Sequence, residues 1–257
     1  MDKRGPIGFF DSGLGGISVL KGTMELLPGE DYLYFGDSLN APYGVRTVDE
    51  VRQLSLAAAE HLLEKGTKAL VIACNTATSA AAAVLRQKYP QLTIIGTEPA
   101  IKPAVQACPG GRILVLATAM TLQEQKYLDL WEQFRELANI VPVPCTGLME
   151  FVERGILSGD EVESFLLEIL EPFTKVPVDA VVLGCTHYPF LKGTLRKILG
   201  KAPAIFDSAD GVARQLRRRL EDQGLLRGRE TGGTVVFENS SCDESLLRLS
   251  QKLLETE

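Results

Sequence analysis

The chain is short of what several protein classes require. It has two histidines and five cysteines, at positions 74, 108, 145, 185 and 242, with no Cys-x-x-Cys pair among them. That arithmetic argues against a zinc site, and an odd cysteine count argues more strongly against a disulfide framework. No metal ligand set is therefore expected, and the cysteines read as reduced thiols. There is no basic excess either. A formal net charge of −6 argues against a protein held to nucleic acid by phosphate contacts, and the local run Arg217-Arg218-Arg219 reads as a solvated helix face. No apolar run approaches the roughly 20 residues a bilayer span needs. Met1-Asp2-Lys3-Arg4 is followed by only a short apolar stretch before Asp11, so no secretory signal is read and a cytoplasmic location is expected.

What is present is ordinary globular material. Hydrophobic residues at 45% and charged residues at 23% of 257 positions suffice for one large or two small cores. Strand-like and helical stretches alternate throughout, which is the βαβ pattern of parallel sheets covered by helices. Strands are predicted at Ile7–Phe10, Tyr32–Phe35, Leu70–Ala73, Ile113–Leu116, Ile140–Val143 and Ala180–Leu183. Helices are predicted over Ile17–Leu27, Val48–Lys65, Ala77–Tyr89, Leu122–Leu137 and Asp160–Leu170. Ile94-Ile95 reads as the start of a crossover, and Ala204-Ile205-Phe206-Asp207 as the chain's return to the first unit. Strand Thr234–Phe237 and helix Glu244–Leu254 then complete that unit.

The order repeats. Strand ends fall near positions 11, 37 and 74 and again near 118, 145 and 185, with intervals of 26 and 37 residues against 27 and 40. The expected fold class is α/β: two similar doubly wound parallel-sheet domains related by internal duplication, with the active site in the cleft between them. The domain boundaries read as residues 1–96 with 207–257, and 97–206.

Two blocks stand at matching places in the repeat. Ala69-Leu70-Val71-Ile72 leads into Ala73-Cys74-Asn75-Thr76, and Ala180-Val181-Val182-Leu183 leads into Gly184-Cys185-Thr186-His187. Either cysteine alone would be read as a buried filler. A matched pair instead offers a thiol from each half, which suits chemistry needing an acid on one face of a substrate and a base on the other. Cys74 is placed just before a helix N-terminus and Cys185 a few residues before another, with Pro189 suited to a first turn. Such a terminus favours a thiolate, and its N–H groups can hold a carboxylate. His187, two residues from Cys185, can tune that thiol or move its proton. Cys108, Cys145 and Cys242 lack this context and are assigned to packing. His61, near Glu60 and Glu64, is assigned to the surface, and Trp131 with Leu128 and Phe134 to the core.

Asp11-Ser12-Gly13-Leu14-Gly15-Gly16 resembles an anion cradle, but Gly-x-Gly-x-x-Gly fails at Ser18 and a Walker lysine is absent. Its glycines more simply let backbone approach a small ligand. Asp11 could bind an amino group, assist a base or cap a helix. Gly36-Asp37-Ser38-Leu39 has the form of the nucleophile block of GDSL esterases. Those need an aspartate three residues before a histidine, and positions 184 and 58 are glycine and alanine. A serine hydrolase is set aside.

Taken together, Phe10-Asp11-Ser12-Gly13-Leu14-Gly15-Gly16, Tyr34-Phe35-Gly36-Asp37-Ser38, Pro42-Tyr43-Gly44, Ala73-Cys74-Asn75-Thr76 and Leu183-Gly184-Cys185-Thr186-His187-Tyr188-Pro189 resemble the glutamate racemases of the aspartate/glutamate racemase superfamily. The resemblance implies a cofactor-independent isomerase that interconverts L- and D-glutamate, supplies D-glutamate for peptidoglycan and so serves cell-wall biogenesis and cell shape. It implies Cys74 and Cys185 as the acid/base residues, Asp11 assisting the first and His187 the second. Substrate contacts would come from Asp11, Ser12, Pro42, Tyr43, Gly44, Asn75, Thr76, Thr118, Thr121, Thr186 and His187. The carboxylate behind Cys185 is open between Glu150, where a proline is common, and Glu153, which matches the family glutamate better. Ser38-Leu39-Asn40-Ala41 departs from the usual Thr-Ala-Arg-Val. The implied partner is the small-molecule substrate, with room for a homodimer and no need of nucleic acid or membrane. Other readings are a racemase or isomerase for aspartate or another superfamily substrate, and an amino-acid-binding protein without turnover.

Overall fold

The computed structural model of the chain describes residues 2–256. The chain divides into two compact units: residues up to Thr97 with those from Ala209 onward, and Glu98–Ser208.

The first unit begins with β1 (Ile7–Asp11), α1 (Ile17–Leu26), β2 (Tyr32–Gly36), α2 (Val48–Glu64), β3 (Ala69–Ile72), α3 (Asn75–Lys88) and β4 (Thr93–Gly96). In the second unit the elements are α4 (Ile101–Ala107), β5 (Arg112–Ala117), α5 (Ala119–Gln123), α6 (Gln125–Phe134), β6 (Asn139–Pro144), α7 (Leu148–Glu153), α8 (Asp160–Thr174), β7 (Ala180–Leu183), α9 (Lys192–Leu199) and β8 (Ala204–Phe206). The first unit is completed by α10 (Ala209–Asp222), β9 (Val235–Asn239) and α11 (Glu244–Glu255).

Both sheets are parallel throughout, in the orders β4-β3-β1-β2-β9 and β6-β5-β7-β8. Read from the other edge, the second is β8-β7-β5-β6, so its strands repeat the order of the first sheet's first four. The α/β class with two parallel, helix-covered sheets therefore holds. Central strands β1, β3 and β7 are buried at every residue, which is why they read as continuous apolar runs and not as alternating ones.

Helix packing supplies the cores. Helix α2 begins in a reciprocal cap: Glu50 N donates to Thr47 Oγ1 at 3.3 Å and Thr47 N donates to Glu50 Oε2 at 2.9 Å. Such a cap stabilises by about 1 kcal/mol. The same helix buries Val51, Ala58 and Leu62. In the second unit, Ile101 and Val105 of α4 and Tyr127 and Phe134 of α6 pack with Ile113, Val115, Ala180 and Val182, each large side chain contributing roughly 2 kcal/mol.

Several expectations are corrected. Ile94-Ile95 is the centre of β4, which pairs along β3; a four-residue edge strand is too short to show a period. Residues 204–206 do not return to the first unit but form β8, which pairs with β7. The helix expected over 122–137 breaks at Glu124, whose backbone is extended at φ −69° and ψ 140°, and α5 starts three residues earlier than that helix. Leu128 is 42% exposed instead of core, because the buried stripe of α6 runs through Tyr127 and Phe134. Cys242 is exposed, at φ 55°, instead of packed. Arg217, Arg218 and Arg219 lie exposed on α10, while Val212, Leu216 and Leu220 face inward. Among the described residues, no helix is long and apolar enough to cross a membrane.

Candidate active site

In each sheet the first strand pairs on both edges, β1 with β2 and β3, and β5 with β6 and β7. The connections after β1 and β3, and after β5 and β7, therefore leave neighbouring strands at the point where strand order reverses, the usual ligand position in open α/β sheets. Cys74 follows β3 and Cys185 follows β7, topologically equivalent places.

In the first unit, Cys74 is itself the N-cap of α3. Its backbone is extended, and its sulfur accepts a hydrogen bond from Ala77 N at 3.4 Å. The thiol also lies 3.7 Å from Ser12 Oγ, which in turn donates to Asp11 Oδ1 at 3.5 Å. The other oxygen of Asp11 accepts from Gly16 N at 2.7 Å, so the carboxylate is held by the turn it opens. That turn is packed closely: a Cβ at Gly16 would lie 2.8 Å from Ala73 Cβ. Asp11, Ser12, Tyr43, Asn75 and Thr76 are buried around this thiol's end of the sheet, with Pro42 and Gly44 half-buried. The phenol of Tyr43 is pushed well above the ordinary range by burial first, then by its hydrogen bond to Asp37 and the neighbouring charges of Asp37, Cys74 and Asp11. It is a permanent donor.

The second unit replaces the aspartate with a histidine and a glutamate. His187 Nδ1 lies 3.6 Å from Cys185 Sγ, and His187 Nε2 lies 2.6 Å from Glu153 Oε1. Burial alone would lower the imidazole's pKa, but hydrogen bonds to Cys185 and Glu153, with their charges, outweigh it and raise it well above its ordinary value. The ring is 1% exposed, and as imidazolium it donates from both nitrogens, one to carboxylate and one to sulfur. Of the two carboxylates left open by sequence, the structure brings Glu153 to His187, whereas Glu150 is exposed on the same helix. Thr186 is buried. Thr118 caps α5, accepting from Thr121 N at 3.2 Å, and the two hydroxyls lie 2.9 Å apart.

Sequence reasoning passed over Tyr188. Its fully buried hydroxyl donates to Cys145 O at 3.0 Å, and burial, then the charges of Cys185 and Cys145, keep its pKa well above the phenol range. Its place three residues after Cys185 was the available signal, since a buried phenol needs a partner. Cys145 is pushed up to about 12 by burial, which leaves it a neutral thiol. Among the described residues, no group of three or more His, Cys, Asp or Glu side chains is placed to hold a metal ion.

A parallel α/β fold with a thiol at the same switch point of each repeated sheet defines a class, and the comparisons give its name. Residues 16–216 match the Asp/Glu/hydantoin racemase family model, and the chain belongs to that family. Among its relatives, the glutamate racemase of Clostridium botulinum is 50% identical over 257 residues, covering 100% of each chain. The crystal structure of Escherichia coli glutamate racemase with L-glutamate and the activator UDP-MurNAc-Ala is similar at a TM-score of 0.86 and 29% identity, covering 97% of this chain and 95% of that one. The Francisella tularensis glutamate racemase with D-glutamate gives a TM-score of 0.84 at 28% identity, covering 99% and 95%.

Proposed function

We propose that the chain racemises glutamate by direct proton exchange at Cα, with Cys74 and Cys185 working on opposite faces of the carbon. The α-proton of an amino acid is too weakly acidic for unassisted removal at neutral pH, so the site must stabilise carbanion character electrostatically. One sulfur, as thiolate, takes the proton and becomes a thiol. The opposite thiol donates its own proton to the other face and becomes a thiolate. After each turnover the two sulfurs have exchanged protonation states, which prepares them for the enantiomer.

Each thiol has its own assistant. For Cys74, the positive end of α3 favours sulfur carrying charge, and Ser12 connects it to the carboxylate of Asp11. For Cys185, the His187–Glu153 pair serves. The backbone N–H groups of Tyr43 and Gly44, with Pro42 offering only its ring and carbonyl, and the N–H groups and hydroxyls of Ser12, Asn75, Thr76, Thr118, Thr121 and Thr186 hold the substrate's carboxylates and amino group. We assign the product to peptidoglycan synthesis in the cytoplasm, with a homodimer as the working assembly. The observation that carries the reading is the equivalence of the two thiols in a repeated strand order, each backed by a different carboxylate route.

Incubation with L-glutamate in D₂O tests it, following optical rotation and α-deuterium together. Inversion accompanied by exchange is expected. Turnover of aspartate with silence toward glutamate would move the substrate elsewhere in the family. Binding without exchange would remove the enzyme assignment altogether.

A further inference from the structure

The block Gly36-Asp37-Ser38-Leu39, set aside as an esterase nucleophile, takes no part in proton exchange, yet Asp37 is 4% exposed and fully engaged. We propose that Asp37 is a positioning residue, the carboxylate hub that fixes the Pro42-Tyr43-Gly44 segment in its substrate-holding shape, and that the corner after β9 braces it from outside.

The geometry is convergent. Tyr43 Oη donates to Asp37 Oδ2 at 2.7 Å, and Asn40 Nδ2 donates to Oδ1 and Oδ2 at 3.0 and 3.1 Å. The backbone of Asp37 is itself fixed, its N–H donating to Asp11 O at 2.9 Å, so the hub is registered against the carboxylate that serves Cys74. Arg46 closes the far end of the loop, Nε donating to Asn40 O at 2.7 Å. From the C-terminal segment, Ser240 N donates to Gly36 O at 2.9 Å, Ser240 Oγ accepts from Leu39 N at 3.0 Å, and Asn239 Nδ2 donates to Ser38 Oγ at 2.8 Å. Between β2 and α2 the chain has only two short 3-10 turns, Ser38–Asn40 and Tyr43–Val45. No sheet or helix ladder holds it, so side-chain bonds to one buried carboxylate set its shape.

A group that shapes a substrate-holding loop acts on ground state and transition state alike. Its loss raises KM while kcat is kept. This rests on the proposed racemase reading. In Asp37→Asn the amide oxygen cannot satisfy both donors, and Tyr43→Phe deletes the shared bond while keeping the buried ring. Each variant is expected to raise KM for both glutamate enantiomers by about tenfold with kcat within about threefold of wild type. The double variant should be no worse than the poorer single one, because both break one network. Amide exchange over residues 38–46 should quicken in both variants while β1 and β3 stay protected.

Unchanged KM in folded variants, a fall in kcat at constant KM, or additive losses would overturn the assignment. Wild-type protein silent toward glutamate would instead remove the racemase reading, and amide exchange would still decide the hub: unaltered protection over 38–46 sinks it. Should Asp37→Asn not fold, Tyr43→Phe carries both measurements alone.

Discussion

His187 bridges Cys185 and Glu153, its two ring nitrogens 3.6 Å from the sulfur and 2.6 Å from the carboxylate oxygen. Because the ring is buried, its protonation state rests on the partners that outweigh burial, Cys185 first and then Glu153. Glu153→Gln keeps an oxygen acceptor but removes one of the two partners' charges that offset burial, so the imidazole's pKa falls from its raised position. Two histidines make the assignment simple, and a proton–carbon NMR titration of the ring reads it directly. The His187 resonance should titrate at lower pH in the variant than in wild type, and an unmoved resonance would separate Glu153 from this role. The same pair is a stability term with a definite sign. A raised histidine stabilises fully below its unfolded value of about 6.5, and the contribution is lost as pH rises through the folded value. Glu153→Gln should therefore cost about 2 kcal/mol at pH 6 and progressively less in alkali, measured by urea unfolding.

Cys74→Ser and Cys185→Ser separate a two-base exchange from a one-base one. Either change should lower racemisation by at least about 100-fold, since a serine hydroxyl is a poor base at neutral pH. Elimination of HCl from a β-chloro amino acid needs a single base. Each variant is expected to retain it with one enantiomer only, and the two variants with opposite ones. Equal loss toward both enantiomers in both variants would count against two separate bases.

The thiols were legible because duplication makes a weak signal quantitative: Cys74 and Cys185 each follow a strand that the repeat had already predicted. Strands β4 and β8 were not. They have four and three residues, and nothing in Thr93–Gly96 or Ala204–Phe206 reports the neighbour that each strand borders. The break at Glu124 was hidden because Gln123-Glu124-Gln125 are all good helix formers. The choice of Glu153 over Glu150 depends on where α7 starts, and that is set by Gly147 at φ 90°, a local conformation that sequence does not number. Asn239 and Ser240 lie 201 positions from the loop residues they hold. Contacts of that range leave no trace in local periodicity.

Lys68 and Glu30 form the first unit's deepest charge pair, with side chains 0% and 3% exposed and Nζ 2.5 Å from Oε2. Lys68 Nζ also donates to Lys3 O and Leu225 O, and Glu30 Oε1 accepts from Arg227 N, so the pair joins the beginning of the chain to the segment that follows α10. Removing Lys68 strands a buried carboxylate and two backbone carbonyls. Lys68→Met should destabilise by about 3–5 kcal/mol, whereas Lys68→Met with Glu30→Leu should recover much of that loss. Urea midpoints for wild type, both single variants and the double variant measure it. A single-variant cost below about 1 kcal/mol would show that water reaches the pair.

Two glycines mark where each repeated unit draws its thiol-bearing connection tight. A Cβ at Gly16 would meet Ala73 Cβ at 2.8 Å and Asp11 Cβ at 2.9 Å, and one at Gly184 would meet Ala117 Cβ at 2.9 Å and Leu116 O at 3.0 Å. None of these atoms is the far end of a flexible chain, so the backbone itself must shift, and it carries Asp11 in one unit and Cys185 in the other. Gly16→Ala and Gly184→Ala should each cost about 1–3 kcal/mol of stability and lower kcat about 100-fold, because displacement of a catalytic group by about 1 Å has that effect. Gly193 is the control. It lies in α9 with open space around it, so Gly193→Ala should stabilise by about 0.5–1 kcal/mol through a less flexible unfolded chain and leave kcat alone. Thermal unfolding and steady-state rates on the three variants decide the matter, and a harmless Gly16→Ala would show that the Asp11 turn has slack the close packing denies.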